Sequence, residues 1–483
     1  MQQGGLLSSP TEEKEKKREE GYRGFGSFHS DNVQELIGLP EEEYQAPPLP
    51  ASLSLAEWTE EGLRRDMPSS FGRPMLRQHF LLDEAWTFIN HGAFGATAKV
   101  ALQAANKWRE HVCLQPLRFI DRELFPYLVA ALREFGPYVG ASPQDITFLP
   151  HATTGLNAVL NSLALQPGEV VCMLDIGYGS VKKMAQHYCQ RGGATFLQLP
   201  VHFPLASEED LVSQVSNFLA TVQDERKLKV RLFIFDHITS NTALVLPVEE
   251  LVRLCHRHDV PVLVDGAHAL GSLMPRLNLT ALNADYYVGN CHKWFCSPQG
   301  CGFLWVRREF QETVFPLSLS HGFGEGFTSN FIWDGCRDYS AALVIPLLIK
   351  FWKAVDEEKA QHYMRDLITS ATALLQDRWQ TSDNVIAPSS MFGTMALVGL
   401  PENLLQTVEG SSSASTSTDA KTIQDKLHYE HKIEVPVKCV QGKLYVRISA
   451  HIYNELEDYQ RLADAISEIA AQSRASASRT PQH

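Results

Sequence analysis

The chain has 483 residues, 44% of them hydrophobic, with Lys+Arg 43 against Asp+Glu 56 and a formal net charge of -13. The acidic balance argues against a nucleic-acid-binding surface, no apolar run is long enough to span a membrane, and residues 1–10 lack the basic start and apolar core of a signal peptide. Nine cysteines, odd in number and scattered, exclude a secreted disulfide framework and point to reduced thiols in a cytoplasmic setting.

Single cores stop growing near ~250–300 residues, so this length predicts two domains. Residues 1–50 carry a charge run (residues 12–20) and a proline-rich stretch, Pro47-Pro48-Leu49-Pro50. Such a segment buries little apolar surface and is expected to be a disordered arm. Residues 51–115 are expected to pack on both domains.

Residues 116–340 alternate helical and strand-like segments. Leu124, Leu128, Ala131, Leu132 and Phe135 have helical spacing within 122–139. Strands are expected at 146–149, 170–174, 195–199, 231–235 and 262–264, with two more flanking residues 290–294. Short, fully apolar strands separated by helices indicate an α/β fold with a mostly parallel sheet covered on both faces. From 341 to 472 the pattern changes to a helix-rich stretch, strands near 393–398 and 444–448, and a final helix near 455–472. That predicts a smaller α+β domain, with a flexible Ser/Thr-rich insertion at 409–420 and a disordered tail at 473–483.

Ligands sit at the carboxyl ends of strands in open parallel sheets, and the chemically notable residues fall there. The strand at 146–149 runs into His151-Ala152-Thr153-Thr154-Gly155, where hydroxyls and free N–H groups at a helix start suit a phosphate; taken alone, this is an ordinary N-cap. Asp175-Ile176-Gly177-Tyr178 brings an aromatic ring, and Asp236-His237-Ile238-Thr239-Ser240 ends the next strand. Asp265 follows three aliphatics and needs a buried partner. It suits either a protonated pyridinium nitrogen or the cap of the next helix. Lys293, in Asn290-Cys291-His292-Lys293-Trp294, lies between two buried strands. Alone it reads as a lysine whose head reaches solvent past an apolar stem. Cys291, Cys296 and Cys301 recur every five residues, which matches no zinc pattern, and no metal is expected.

Together these residues resemble the class V aminotransferase family of pyridoxal-phosphate enzymes, fold type I. Val264-Asp265-Gly266-Ala267-His268 with Lys293, 28 positions after Asp265, is the central pair of signatures. Within the family the chain is most similar to isopenicillin N epimerase-like and cysteine desulfhydrase-like proteins. The similarity rests on Ile89-Asn90-His91-Gly92-Ala93-Phe94-Gly95, Trp333-Asp334-Gly335-Cys336-Arg337-Asp338 and Val446-Arg447-Ile448-Ser449, and extends over about residues 80–470.

The resemblance implies pyridoxal 5'-phosphate (PLP) held by Lys293 as an internal aldimine, with Lys293 also the catalytic proton carrier. It implies Asp265 at the pyridinium nitrogen, and His268 and Ser240 near the phenolic oxygen. Tyr178 would stack on the ring, and Thr153, Thr154, Asn290 and His292 would surround the phosphate. Arg447 would clamp the carboxylate of a small amino-acid substrate, with Asn90 and His91 at the substrate entrance. A homodimer with shared sites is implied, residues 333–338 approaching the partner's cofactor, although Cys336 stands where related chains tend to have threonine. Cys439 lies eight positions before Arg447 and reads as an ordinary loop thiol, which disfavours desulfurase chemistry. The reading favours β-elimination by a carbon–sulfur lyase, with epimerisation or transamination as alternatives and a non-catalytic scaffold as the rival class. Epimerisation needs a second acid/base on the opposite face, for which His91, His151, His237 and Tyr178 are the candidates.

Overall fold

The computed structural model describes residues 31–53, 58–273, 276–401, 404 and 414–477. Twelve strands order the described chain: β1 (Thr87–Phe88), β2 (Ile146–Leu149), β3 (Glu169–Leu174), β4 (Thr195–Leu199), β5 (Lys229–Asp236), β6 (Val262–Gly266), β7 (Tyr286–Asn290), β8 (Gly302–Val306), β9 (Met395–Gly399), β10 (Ile433–Glu434), β11 (Val437–Val440) and β12 (Lys443–Ser449). Seven of them form the main sheet in the order β2-β8-β7-β6-β5-β3-β4. All pairings are parallel except those of β8, which runs against both β2 and β7. The expected mostly parallel sheet is therefore observed.

Alternation along each strand sends successive side chains to opposite faces. In β5, Phe233 and Phe235 join the larger core, while Leu232 and Ile234 join a second cluster on the other face. Helices Ala152–Ser162 and Gly179–Gly192 cover the second face, placing Leu156, Val159, Val181 and Ala185 there. Helices Leu124–Tyr138, Glu208–Ala220 and Val248–Arg257 contribute to the first. Burial on both faces explains why these strands have no polar alternation.

A three-stranded antiparallel sheet, β11-β12-β9, builds a separate core with helices Glu357–Trp379, Ser417–His431 and Leu456–Ala477. β1 pairs in parallel with β10, so Ile89 enters that core. The chain then crosses at Gly95 into the larger core, where Ala98, Ala101 and Ala105 are buried. Gly95 has φ +75, and a Cβ there would lie 2.1 Å from the His292 carbonyl oxygen and 2.7 Å from Lys293 Cα. The backbone passes that close beneath the lysine only because the position is glycine.

Several expected boundaries move. The disordered arm (1–50) gives way at residue 31 to helix Asp31–Gly38, which buries Val33 and Ile37. Arg133 donates to the carbonyls of Ile37 and Leu39, which ties that helix end down; residues 1–30 lie outside the described residues. The flexible insertion (409–420) ends early, because Thr416 and Asp419 form a capping box that starts helix Ser417–His431; residues 405–413 are outside the description. The final helix continues to Ala477, into the expected disordered tail. Helix Ile345–Val355, expected in the smaller domain, packs its Leu348, Phe351 and Trp352 into the larger core. Among the described residues no helix is long and apolar enough to cross a membrane.

Candidate active site

The carboxyl ends of β2, β3, β5, β6 and β7 surround a cavity of about 400 Å³. That volume suits a small organic ligand. Asp265 and Asp236 lie side by side in it, because β5 and β6 pair in parallel with these two residues in register. Each is 4% exposed. Asp265 accepts from the Ala267 N–H at 3.0 Å, and Asp236 accepts from the Tyr178 N–H. Burial raises both carboxyls above the usual range, Asp236 strongly so because Asp265 adds like-charge repulsion.

Lys293 enters the same cavity from the turn between β7 and β8, part of its surface facing the open volume. Burial pushes its ammonium down to about 8, against the opposing pull of Asp265. Its Nζ lies 3.2 Å from His268 Nε2. Burial, with the Lys293 and Arg447 cations beside it, holds His268 neutral, well below the usual imidazole range.

At the β2 end, helix Ala152–Ser162 opens toward the cavity with Thr153 on its lining. Asn290 Oδ1 accepts from the Ala152 N–H at 2.9 Å, so Asn290 positions the helix start. His292 also lines the cavity, its imidazole pushed down to about 4 by burial. Tyr178 stands at the start of helix Gly179–Gly192 with 45% of its surface exposed, over the cavity. Ser240 lines the wall, and its carbonyl accepts from Arg447 Nη1.

The structure thus brings Lys293, Asp265, His268, Thr153, Tyr178, Ser240, Asn290 and His292 to one cavity. Four expected residues take other positions. Thr154 turns to its own cap: its N–H and hydroxyl both lie 3.3 Å from His151 Nδ1. Arg447 sits behind the wall, 4% exposed, with Nη2 donating to Asn90 Oδ1 at 2.8 Å. Its Nε is buried without a partner among the described residues. Asn90 does not face an entrance; it bridges Arg447 and Glu434, to which its amide donates at 3.1 Å. His91 is fully buried rather than at an entrance, because the segment after Ile89 dives beneath the lysine. Its Nε2 lies 3.0 Å from the Lys293 carbonyl and its Nδ1 2.7 Å from the Tyr453 hydroxyl. His91, Cys296 and His451 converge there with ligand-type atoms within 4.8 Å of one another. Both His91 nitrogens are already hydrogen-bonded, so the cluster is a packed unit in this conformation.

Of the four candidates for a second acid/base, His151 and Tyr178 line the cavity. His237 instead lies 2.9 Å from the Tyr287 hydroxyl. Asp236, Phe94, Ile238 and Gln299, to which the sequence assigned no role, also line the cavity. Asp236 had a visible signal: an aspartate closing an apolar strand, as Asp265 does. Cys439 is outside the cavity, with its thiol directed at the Ser415 carbonyl.

A family model described as Aminotransferase class-V matches residues 130–384. The L-cysteine desulfhydrase of Arabidopsis thaliana is 32% identical over 408 residues, covering 79% of this chain and 87% of the relative. Isopenicillin N epimerase of Amycolatopsis lactamdurans is 28% identical over 414 residues, covering 82% and 98%. Among solved structures, the cystine C-S lyase C-DES in complex with cysteine persulfide superposes with a TM-score of 0.62 at 22% identity, covering 80% of this chain and 97% of that one. That structure shares the fold. Sheet, pocket and relatives together define a PLP-dependent enzyme of fold type I. The chain belongs to the class-V aminotransferase family.

Proposed function

We propose that the chain catalyses β-elimination from a cysteine-like amino acid, releasing a sulfur leaving group, with Lys293 as the residue that holds the cofactor and moves the proton. The observation that carries this is the environment of Lys293: a buried amine pushed down to about 8, beside His268 and above a pair of buried carboxyls. A lysine perturbed this far by burial, with a specific carboxyl partner and its amine turned into a cavity, is the pattern of a functional site rather than of a scaffold.

The donor set fits PLP. Thr153 at the open helix start, with His292, would hold the phosphate. Asp265 would face the pyridine nitrogen, whose positive charge lets the buried carboxyl ionise. Tyr178 would cover the ring, and His268 and Ser240 would flank the phenolic oxygen. Bound there, the cofactor supplies an electron sink that makes the substrate Cα–H acidic.

The remaining steps belong to the protein. Arg447, behind the Ser240 wall in this conformation, would orient the substrate carboxylate with the N–H donors that Ser240 and Asn90 do not take, two of its five being used there to fix the guanidinium plane. The Lys293 amine would take the Cα proton. The Cβ–S bond then breaks, its electron pair leaving with sulfur, which takes up a proton; the enamine product, once released, tautomerises to an imine whose C=N bond water hydrolyses to pyruvate and ammonia. Lys293 alone suffices for this sequence. Epimerisation requires a second acid on the opposite face; His91 and His237 do not reach the cavity, which leaves Tyr178 and His151 on its lining as the residues that alternative would need. The similarity to the desulfhydrase of Arabidopsis thaliana also supports elimination.

The same reading includes a homodimer, with residues 333–338 near the partner's cofactor. It is supported by exposed Leu317, Leu319 and Phe323 in the stretch leading there. A cytoplasmic setting is supported by the nine free cysteines. Purified protein with cysteine and its S-conjugates tests the activity: pyruvate, ammonia and sulfide above blank are expected. Exchange of α-deuterium without pyruvate would replace elimination by epimerisation.

A further inference from the structure

His268 is held from two sides. The Trp294 indole Nε1–H donates to His268 Nδ1 at 3.4 Å, and His268 Nε2 lies 3.2 Å from Lys293 Nζ. Both rings are buried, Trp294 at 1% and His268 at 3% exposure. An indole N–H only donates, so the nitrogen facing it must present a lone pair. A neutral imidazole with its lone pair on Nδ1 carries its proton on Nε2. The alternative tautomer would set two N–H groups against each other in a site without water-facing relief.

We propose that Trp294 is a positioning residue that locks His268 in the Nε2–H tautomer, so that His268 presents a hydrogen-bond donor to Lys293 and to an acceptor atom of the cofactor bound beside it. This rests on the reading of the cavity given above, and it adds a role for a residue outside the cavity lining. Its first consequence concerns the lysine. A donor on Nε2 is matched by the free amine, which has a lone pair, and not by the ammonium. The Trp294–His268–Lys293 chain therefore favours the nucleophilic form of Lys293 before any ligand arrives. The second concerns the phenolic oxygen of PLP, an acceptor that needs a donor rather than a lone pair opposite it. The tautomer matters because nothing else on His268 can supply that donor: its Nδ1 faces the indole.

Burial of the Trp294 ring against Ile238, Ala243 and Met395 means that truncation would also loosen packing, so the test separates the two roles. Full-length protein labelled with ¹⁵N-histidine is measured as purified and again after cofactor removal. Long-range ¹H–¹⁵N correlation then reads the protonated nitrogen of His268, assigned by its disappearance in His268→Gln. The expected result is protonated Nε2 in both forms of the wild type, and a mixed or reversed population in Trp294→Phe. Activity supplies the second readout. Trp294→Phe should lower kcat by about tenfold, on the scale of one hydrogen bond. In a His268→Gln background the amide donates without an indole to orient it, so adding Trp294→Phe should change kcat by less than about twofold.

Wild-type His268 protonated on Nδ1 overturns the proposal, whatever the folding of the variant. So does an unchanged tautomer in Trp294→Phe, or an equal loss in both backgrounds, which is what a packing role produces. Failure of PLP to attach at Lys293 would instead sink the reading of the cavity, and would leave the tautomer measured in cofactor-free protein standing.

Discussion

Replacing Asp236 with Asn probes the paired carboxyls at the base of the site. The two residues are in register on adjacent strands, a spacing of about 4.8 Å. Two full charges that far apart would repel by about 3 kcal/mol at an effective dielectric near 20. Asparagine keeps the size and can still accept from the Tyr178 N–H, but it removes the charge. Burial and Asp265 raise the Asp236 carboxyl well above its ordinary value. A raised folded-state value gives stability that is present below the unfolded value and lost as pH rises toward and through the folded one. The cofactor-free wild type should therefore lose stability from about pH 4 upward, while Asp236→Asn lacks that share of the loss. Thermal or denaturant unfolding at matched pH should show the variant gaining on the wild type as pH goes from 5 to 8, by up to about 3 kcal/mol. A gap that is flat or shrinks with pH would refute the argument, because it would mean that Asp236 is not forced to hold its proton.

Arg447→Lys should raise KM for the amino acid at least tenfold, since a point charge cannot replace the planar fork. Asn90→Ala should raise it less, by freeing one side of the guanidinium; equal KM values across the three proteins would remove Arg447 from substrate binding. Gly95→Ala should be severely destabilising or fail to accumulate, because its Cβ would sit 2.1 Å from the His292 carbonyl oxygen at φ +75; a normal melting temperature would show that the crossing beneath Lys293 is drawn wrongly. Attachment of PLP to apoprotein should accelerate with pH and level off near 8, where Lys293 becomes the free amine. A rate that keeps climbing toward about 10, as for an unperturbed lysine, would contradict the burial argument.

The main sheet was legible because its strands are apolar on both faces: Val170 to Leu174, Phe233 to Phe235 and Val262 to Val264 leave no polar alternation to misread. Asp265 and Lys293 stood out as charged side chains at the ends of such strands, but taken alone each read as a structural group, and the roles expected of them came only from the family resemblance. Residues whose roles depend on the path of distant segments were not. Asn90 and His91 carry no mark that distinguishes an entrance from a buried support, and only the pairing of β1 with β10 and the passage at Gly95 put His91 under the lysine. Helix Asp31–Gly38 is short, and what holds it, the core around Val33 and Ile37 and the Arg133 guanidinium, comes from far along the chain. The capping box at Thr416 and Asp419 lay inside a Ser/Thr-rich run whose composition read as a flexible link. Asp236 repeats the pattern that singled out Asp265, and its neighbourhood became evident only from strand register.

The most direct test is to reduce the purified holoenzyme with borohydride and map the modified residue by peptide mass spectrometry. A single phosphopyridoxyl adduct on the peptide containing Lys293, lost in Lys293→Ala together with the visible cofactor band and product formation, is the predicted result. An adduct on another lysine, such as Lys182, or full activity in Lys293→Ala, would contradict it.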